Sequence, residues 1–476
     1  MTFRADYKGR GMVAQAGRDT IVALSSGPGR GAIAVVRLSG PGTAEVLSRV
    51  FLPRRKSKRK APPARRLVLG RFVDGAGRPF DEGLAAFMPG PDSFTGEDLA
   101  ELYCHGGPAI LEALLEAARQ AGARPAAPGE FTKRAFLAGK VDLVQSEAVA
   151  DLICAETRRA ARAALHHLEG GLSRELESVW ERIVEAGAHL EAAIDFPEEF
   201  EPGAGPSVTG GPMGAEELGG LFVGIEADLL KLEESYREGR ALREGARVAI
   251  LGRPNAGKST LINRLLGTDR AIVSPIPGTT RDTVEEVCDI GGVPVRLIDT
   301  AGLRETGDDI EREGAERARR AAAGADLCLL LVDAAAGPGE AAWALAERGK
   351  VECPSLLLAN KMDLAGARRP EEALPISALK GEGLDELRAA IASALAGEAG
   401  EAGSGQSLLT RERHRDLVAR CRAAVAQAKE GALSGLSPEL VAVHLNEAQA
   451  ALSELLGRNY GEALLDRIFK TFCVGK

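Results

Sequence analysis

Aromatic residues are scarce, at 4% of the chain, so any core has to be built largely from Leu, Val and Ala. Cysteine is sparse as well. Seven are scattered at positions 104, 154, 288, 328, 353, 421 and 473, with no Cys-x-x-Cys pair and no histidine cluster beside them. That spacing argues against a disulfide framework or a zinc site and points to reduced cytosolic thiols. No charge-free apolar stretch approaches roughly 18 residues, so no membrane-spanning helix is expected. Residues 1–17 are polar and contain glycine, without the apolar core of a signal peptide. The sequence predicts a disordered extension over residues 1–18. The net charge of −8 argues against a nucleic-acid-binding surface spread over the whole chain. One basic run, Arg54 to Lys60 followed by Arg65 and Arg66, stands against that balance. Such a run could touch RNA phosphates. Pro62 and Pro63 interrupt it, and an exposed loop between strands is the simpler reading.

What the chain does contain is a nucleotide signature. Residues 252–259 read Gly-Arg-Pro-Asn-Ala-Gly-Lys-Ser, the GxxxxGK[ST] pattern of a phosphate loop. An apolar run, Arg247–Leu251, precedes it as a buried strand, and Ser259–Leu266 follows as a helix. Backbone N–H groups across Asn255, Ala256, Gly257 and Thr260 would face the phosphates. Lys258 is expected at the β/γ-phosphates, and the Ser259 hydroxyl at Mg²⁺. Further on stands Asn360-Lys361-Met362-Asp363. An aspartate carboxylate accepts two parallel N–H donors. Guanine offers its N1–H and N2–H side by side, and adenine has no such pair, so the expected nucleotide is GTP. Ser377-Ala378 is expected to present a backbone N–H to the guanine oxygen; Leu379 stands where lysine is usual, and a backbone contact tolerates this.

Between these motifs lie two more. Val295–Asp299 reads as a strand leading into Thr300-Ala301-Gly302, with Asp299 near Mg²⁺ through water and the Gly302 N–H near the γ-phosphate. In Gly278-Thr279-Thr280-Arg281-Asp282, a threonine hydroxyl could ligate Mg²⁺ only while the γ-phosphate is present, which makes the segment a switch. The glutamine that orients water in many GTPases is missing, and Leu303 stands in its position. Asn255, through a monovalent cation, and Glu311, in an acidic run, are the two candidates to replace it. A solvated helix start is the plainer account of that run.

Length allows about three domains. Residues 19–139 alternate strands with one clear helix, Pro108–Ala121, and read as a small α+β domain. Gly27–Gly31 is expected to be a hairpin turn rather than a second phosphate cradle. Leu172, Leu176, Val179, Ile183, Ala186, Leu190 and Ile194 form one apolar stripe on a long helix that stops at Pro197. Residues 202–220 read as a loop, and Leu221–Glu244 as one helix. Gly397–Gly405 reads as a flexible linker, with helices again from Thr410 to Phe472. The predicted fold is therefore multidomain: an α+β N-terminal domain (19–139), an α-helical central domain in two segments (140–245 and 406–476), and an inserted α/β, Ras-like P-loop GTPase domain (246–396).

Two end segments carry a family resemblance. One holds Ser93–Asp98, Cys104–Pro108 and Ala127–Phe136; the other is Phe472-Cys473-Val474-Gly475-Lys476. With the GTPase motifs, the chain resembles the MnmE (TrmE) family of tRNA-modification GTPases over residues 19–476. Val474 replaces the usual Ile or Leu, and residues 201–215 look unlike the family. The resemblance implies a homodimer formed through the N-terminal domains. It also implies a heterotetramer with the flavoprotein MnmG (GidA), FAD being held only by that partner. Together the two proteins install an aminomethyl or carboxymethylaminomethyl group on carbon 5 of the wobble uridine of tRNA. The one-carbon unit comes from a tetrahydrofolate derivative, 5-formyl- or methylene-tetrahydrofolate. By the same resemblance, folate contacts map onto Arg37, Glu101, Lys140 and Lys476, and Cys473 is a candidate catalytic thiol. Such a thiol needs a lowered pKa, for which Lys470 or Lys476 is available. The resemblance further implies K⁺ held by Asn255, Ser274, Ile276 and Thr279, Mg²⁺ held by Ser259 and Thr280, and water oriented by Glu311. The location it implies is cytoplasmic, with no membrane attachment. A GTP-regulated ribosome-assembly or RNA-binding factor is the competing class; it would need neither the folate-type domain nor the Phe-Cys-x-Gly-Lys end.

Overall fold

The computed structural model describes residues 19–27, 29–54, 63–195, 215–268, 287–299, 324–337, 339–396 and 407–476. The chain divides into two compact units. One holds the described residues up to Ala150 together with Leu456–Lys476; the other holds the described residues from Asp151 to Leu455. The expected extension (1–18), most of the basic run (55–62), the segment 201–214 and the linker 397–405 lie outside the described residues.

The first unit is built on a seven-stranded sheet of order β3-β4-β5-β6-β2-β1-β7. Its strands are β1 (Thr20–Leu24), β2 (Gly31–Ser39), β3 (Phe51–Pro53), β4 (Val68–Val73), β5 (Pro79–Met88), β6 (Leu99–Gly106) and β7 (Ala123–Pro125). β1 and β2 form an antiparallel hairpin, so Gly27–Gly31 is a strand connection. Strand alternation sends Val36, Leu38, Ala100, Leu102 and Cys104 into the core beneath helix Pro108–Gln120. Arg37, Glu101, Tyr103 and His105 lie on the opposite face. Two further helices, Thr43–Val50 and Glu130–Leu137, stand where the sequence suggested only one. Each has eight residues, too few for helical periodicity to stand out.

Residues 456–476, which the sequence placed at the end of the helical segment, pack in this first unit. Helix Glu462–Phe469 lays Leu465, Ile468 and Phe469, with Phe472 after it, against Phe136 and Leu143. Periodicity marks these residues for burial but does not say against what they are buried.

The second unit combines helices with a six-stranded sheet of order β13-β12-β11-β8-β10-β9. Its strands are β8 (Ala246–Leu251), β9 (Val287–Ile290), β10 (Val293–Asp299), β11 (Leu327–Asp333), β12 (Ser355–Asn360) and β13 (Leu374–Pro375). All neighbours are parallel except β9 and β10. Leu329, Leu330 and Leu331 are fully buried, as both faces of a helix-covered parallel sheet require. The long helix Gly171–Asp195 buries Leu172, Leu176, Val179, Ile183, Ala186 and Leu190; Ile194, at its last turn, is only half-buried.

The stretch read as one helix over 221–244 is two, Ala215–Glu234 and Tyr236–Glu244. The first begins inside the expected loop, because Leu218 starts a buried stripe continued by Phe222, Ile225, Leu229 and Leu232; Gly219 and Gly220 mask it in sequence. The break falls at Ser235. Its hydroxyl donates to the Leu232 carbonyl (2.6 Å) and accepts the Leu409 N–H (2.9 Å), so the serine bends one helix and receives the chain returning after the sheet. Asp151 joins the same two passages, accepting from Arg243 Nε (3.1 Å) and Arg411 Nη2 (2.6 Å).

Beside this junction is a small cavity of about 10 Å³ lined by His167, Thr410, Arg243 and Leu242 among others. His167 Nε2 and Thr410 Oγ1 are buried without a hydrogen-bond partner. Burial, and then the positive charge that His414 and His166 would carry, push the His167 pKa down to about 4 from its usual 6.5. The folded state therefore holds a neutral imidazole that the unfolded chain protonates below about pH 6.5. This contribution is complete above pH 6.5 and is lost as pH falls toward 4, to an extent of about 3 kcal/mol. Thermal melts from pH 7 to pH 4.5 are expected to show this loss, and His167→Gln is expected to flatten the slope.

Candidate functional site

Two groups of side chains fall at one end of each sheet. In the second unit the carboxyl ends of β8, β11, β12 and β13 carry the loops of interest, the usual ligand edge of a parallel sheet. Residues 252–257 leave β8 and helix Lys258–Thr268 begins directly after them. The loop needs unusual backbone. Asn255 has φ +62° and Gly257 φ +100°, and Asn and Gly are the residues that reach this region at least cost. Lys258 Nζ donates to the carbonyls of Gly252 (2.7 Å) and Arg253 (3.0 Å), bending over the loop's own rim. Ser259 and Thr260 are exposed at the helix start.

Asn360, at the end of β12, is almost completely buried, at 3% exposure. Its Nδ2 donates to the Ala256 carbonyl (2.8 Å), and its Oδ1 accepts the Ala378 N–H (2.9 Å). One amide thus ties the phosphate-loop backbone to the loop after β13. Gly257 lies against the same amide so closely that a Cβ would overlap Nδ2. Lys361, at φ +65°, pairs with Asp333 at the end of β11 (2.6 Å). Asp363 accepts from the Ser377 hydroxyl (2.8 Å), and that hydroxyl also accepts the Lys380 N–H (3.1 Å). Asn255, Ala256, Gly257, Lys258, Ser259, Thr260, Asn360, Lys361, Asp363, Ser377 and Ala378 therefore gather at one edge. Asp299 ends β10, adjacent to β8. Ser274, Ile276, Thr279, Thr280, Thr300, Ala301, Gly302, Leu303 and Glu311 lie outside the described residues.

In the first unit Arg37 and Glu101 stand directly opposite each other on β2 and β6. Arg37 Nη2 meets Glu101 Oε1 at 2.7 Å, and the Tyr103 hydroxyl donates to Glu101 Oε2, also at 2.7 Å. Burial opposes ionisation of Glu101, but the hydrogen bonds from Tyr103 and Arg37 and the Arg37 charge outweigh it and keep the carboxyl below its usual range. The same bond pushes the Tyr103 phenol up to about 12. The Arg37 guanidinium lies 5.7 Å from the Phe94 ring centre and 5.8 Å from that of Phe131, within cation–π range. The loop carrying Phe94 is held from below: Ser39 bonds Thr95 (2.7 Å) and Glu97 (2.8 Å), and the buried Arg134 bonds Glu97 (3.0 Å). Lys140 runs beside this loop at Gly96.

The last residues reach the same place. Val474 pairs with Pro128, the Gly129 N–H donates to the Cys473 carbonyl (3.3 Å), and the Phe131 N–H to the Lys476 main-chain oxygen (3.1 Å). Ser25 Oγ donates to the Gly475 carbonyl at 2.9 Å. Gly475 has φ +94°, and a Cβ there would overlap the Leu24 carbonyl, so only glycine threads the tail. Burial, and then Arg37, lower the Lys476 pKa, while Cys473 and Glu101 act the other way. The Cys473 side chain is exposed. Arg37, Glu101 and Lys476 thus converge, with Lys140 at the flanking loop. Sequence reasoning missed Tyr103, Phe94 and Phe131 as members. Strand alternation could have found Tyr103, which lies two residues after Glu101 on the same face.

Asn360→Ala leaves the buried Ala256 carbonyl and Ala378 N–H without partners, at about 1–3 kcal/mol each. The variant is expected to lose several degrees of thermal stability and to weaken nucleotide binding at least tenfold, measured by melting and by fluorescent-nucleotide titration.

Comparison with known proteins agrees with this architecture. The model of the MnmE helical domain matches residues 143–473, and that of the GTP-binding protein TrmE N-terminus matches residues 20–140. The tRNA modification GTPase MnmE of Symbiobacterium thermophilum is 44% identical over 470 residues, spanning 97% of this chain and 100% of that protein. The proteins of the same name from Roseiflexus sp. strain RS-1 (44%, 96% and 99% covered) and Thiobacillus denitrificans (43%, 96% and 98%) are similar throughout. The chain belongs to the MnmE family of tRNA modification GTPases.

Proposed function

We propose that this protein uses GTP binding and hydrolysis to gate modification of carbon 5 of the wobble uridine in tRNA, acting with a flavoprotein of the MnmG (GidA) kind that carries FAD. The observation that carries this reading is the meeting of the chain's last residues with the Arg37–Glu101 pair, which brings Cys473 and Lys476 to a charged, aromatic-flanked cradle. The cradle suits a tetrahydrofolate. Glu101 is an acceptor for an amide-like donor edge, Phe94 and Phe131 offer ring faces, and Lys476 and Lys140 offer cations for a carboxylate tail. When bound, that group supplies the one-carbon unit. Arg37 holds Glu101 ionised and aimed, and Tyr103 fixes its second oxygen. Cys473 is the catalytic thiol in this reading.

At the other site, Asp363 reads guanine, Ser377 and Ala378 face the guanine oxygen, and Lys258 and Ser259 attend the phosphates and Mg²⁺. Asn255 is the described member of the K⁺ set; Ser274, Ile276 and Thr279, the Mg²⁺ ligand Thr280 and the water-orienting Glu311 complete the proposal. Residues 19–139 form the folate and dimerisation domain of a homodimer that assembles with the flavoprotein into a cytoplasmic heterotetramer. The GTPase domain, residues 246–396, is inserted between the helical segments 140–245 and 406–476.

Nucleoside mass spectrometry of bulk tRNA from cells lacking the protein tests the assignment. The carbon-5 group is expected to disappear and to return with the wild type. Cys473→Ser and Glu101→Gln are expected to leave modification at under a tenth of normal while GTP turnover stays within about twofold. Unchanged tRNA in the deletion strain would refute the assignment, and full modification by Cys473→Ser would remove the thiol from it.

A further inference from the structure

None of the seven cysteines is in a disulfide, and two of them meet. Cys328 lies at the start of β11, fully buried; Cys353 precedes β12 and is only partly buried. Their Sγ atoms are 3.3 Å apart and share a hydrogen bond. The neighbouring strands hold them there: Cys328 pairs with Ser355 across the parallel ladder, and its N–H donates to the Pro354 carbonyl at 2.9 Å. Neither thiol belongs to the nucleotide edge, which lies at the far ends of the same strands.

We propose that Cys328 and Cys353 form a reversible thiol–disulfide pair that responds to hydroperoxide-class oxidants. The environments assign the order of events. Burial, and then the hydrogen bond with Cys353, raise the Cys328 thiol above its usual range, and its complete burial keeps oxidant from it. Cys353 is the reachable sulfur. Its thiolate attacks one peroxide oxygen, the O–O bond breaks, and hydroxide leaves to become water, giving a sulfenic acid. The Cys328 sulfur then attacks that sulfur and expels hydroxide, which takes the Cys328 proton as a second water. Two thiols lose two electrons, and one peroxide becomes two waters. The closed ring spans residues 328–353 and so contains Asp333 and helix Gly339–Arg348. Glu340 in that helix bonds Arg253 of the phosphate loop (3.2 Å), so the staple closes around an element that braces the nucleotide site from outside.

The test is peptide mapping of the full chain after brief exposure to hydrogen peroxide, with free thiols alkylated before digestion. A peptide linking Cys328 to Cys353, lighter by the two hydrogens, is expected in most molecules and is expected to vanish with dithiothreitol. In Cys353→Ser that peptide is absent and Cys328 is recovered as an alkylated thiol once the protein is unfolded. Cys154 and Cys473, both exposed, serve as internal references for oxidant access. Recovery of both thiols alkylated, or of Cys353 as a sulfinic acid beside an intact Cys328, would overturn the proposal. So would loss of the Cys328 thiol at an equal rate in Cys353→Ser. The outcome does not depend on the tRNA reading.

Discussion

The amide of Asn360 is the constraint on which the nucleotide edge depends. It is buried, and both of its ends are used: the nitrogen on the phosphate loop, the oxygen on the loop after β13. A buried amide with both partners present fixes two backbone segments at once, and loss of either partner exposes the desolvation cost of the other. The geometry explains the glycine before Lys258. The φ of +100° at Gly257 excludes most side chains, and the amide behind it excludes even a methyl group. Lys361 and Asp363, the next residues, inherit their positions from this clamp and are finished by Asp333 and Ser377.

The first unit uses a similar device at its own site. A glycine with positive φ, Gly475, threads the chain's last residues past the Leu24 carbonyl, and the helix starting at Glu130 receives the Lys476 oxygen on an N–H group. The Arg134–Glu97 bond and the Ser39 hydroxyl hold the Phe94 loop over Arg37. Both sites thus place chemistry on loops and tails but anchor it through buried polar contacts to rigid strands.

Local patterns were the legible part. A strand, a glycine-rich turn and a helix in succession around residues 246–268 follow from apolar runs and spacing, and β1, β2, β4, β5 and β6 follow from alternation. What sequence did not reveal is pairing at a distance. The helix over 215–244 breaks at Ser235 because the hydroxyl's partner is the Leu409 N–H, 174 residues away. Residues Leu456–Lys476 read as one more stretch of amphipathic helix, and only the fold tells that Phe469 and Phe472 are buried with Phe136. Only the family resemblance linked Arg37 with Glu101 in sequence, because their register across β2 and β6 is a tertiary fact. Cys328 and Cys353 looked scattered for the same reason.

The central claim is that a guanine nucleotide read at Asp363 drives the modification of tRNA. Asp363→Asn tests it directly, because an amide presents a donor where the carboxylate only accepts, matching the carbonyl that xanthine carries in place of the guanine amino group. In a reconstituted reaction with the flavoprotein, tetrahydrofolate and tRNA, the account predicts that this variant fails with GTP and regains modification with xanthosine triphosphate. Full modification by the variant with GTP, or without any nucleotide, would contradict it.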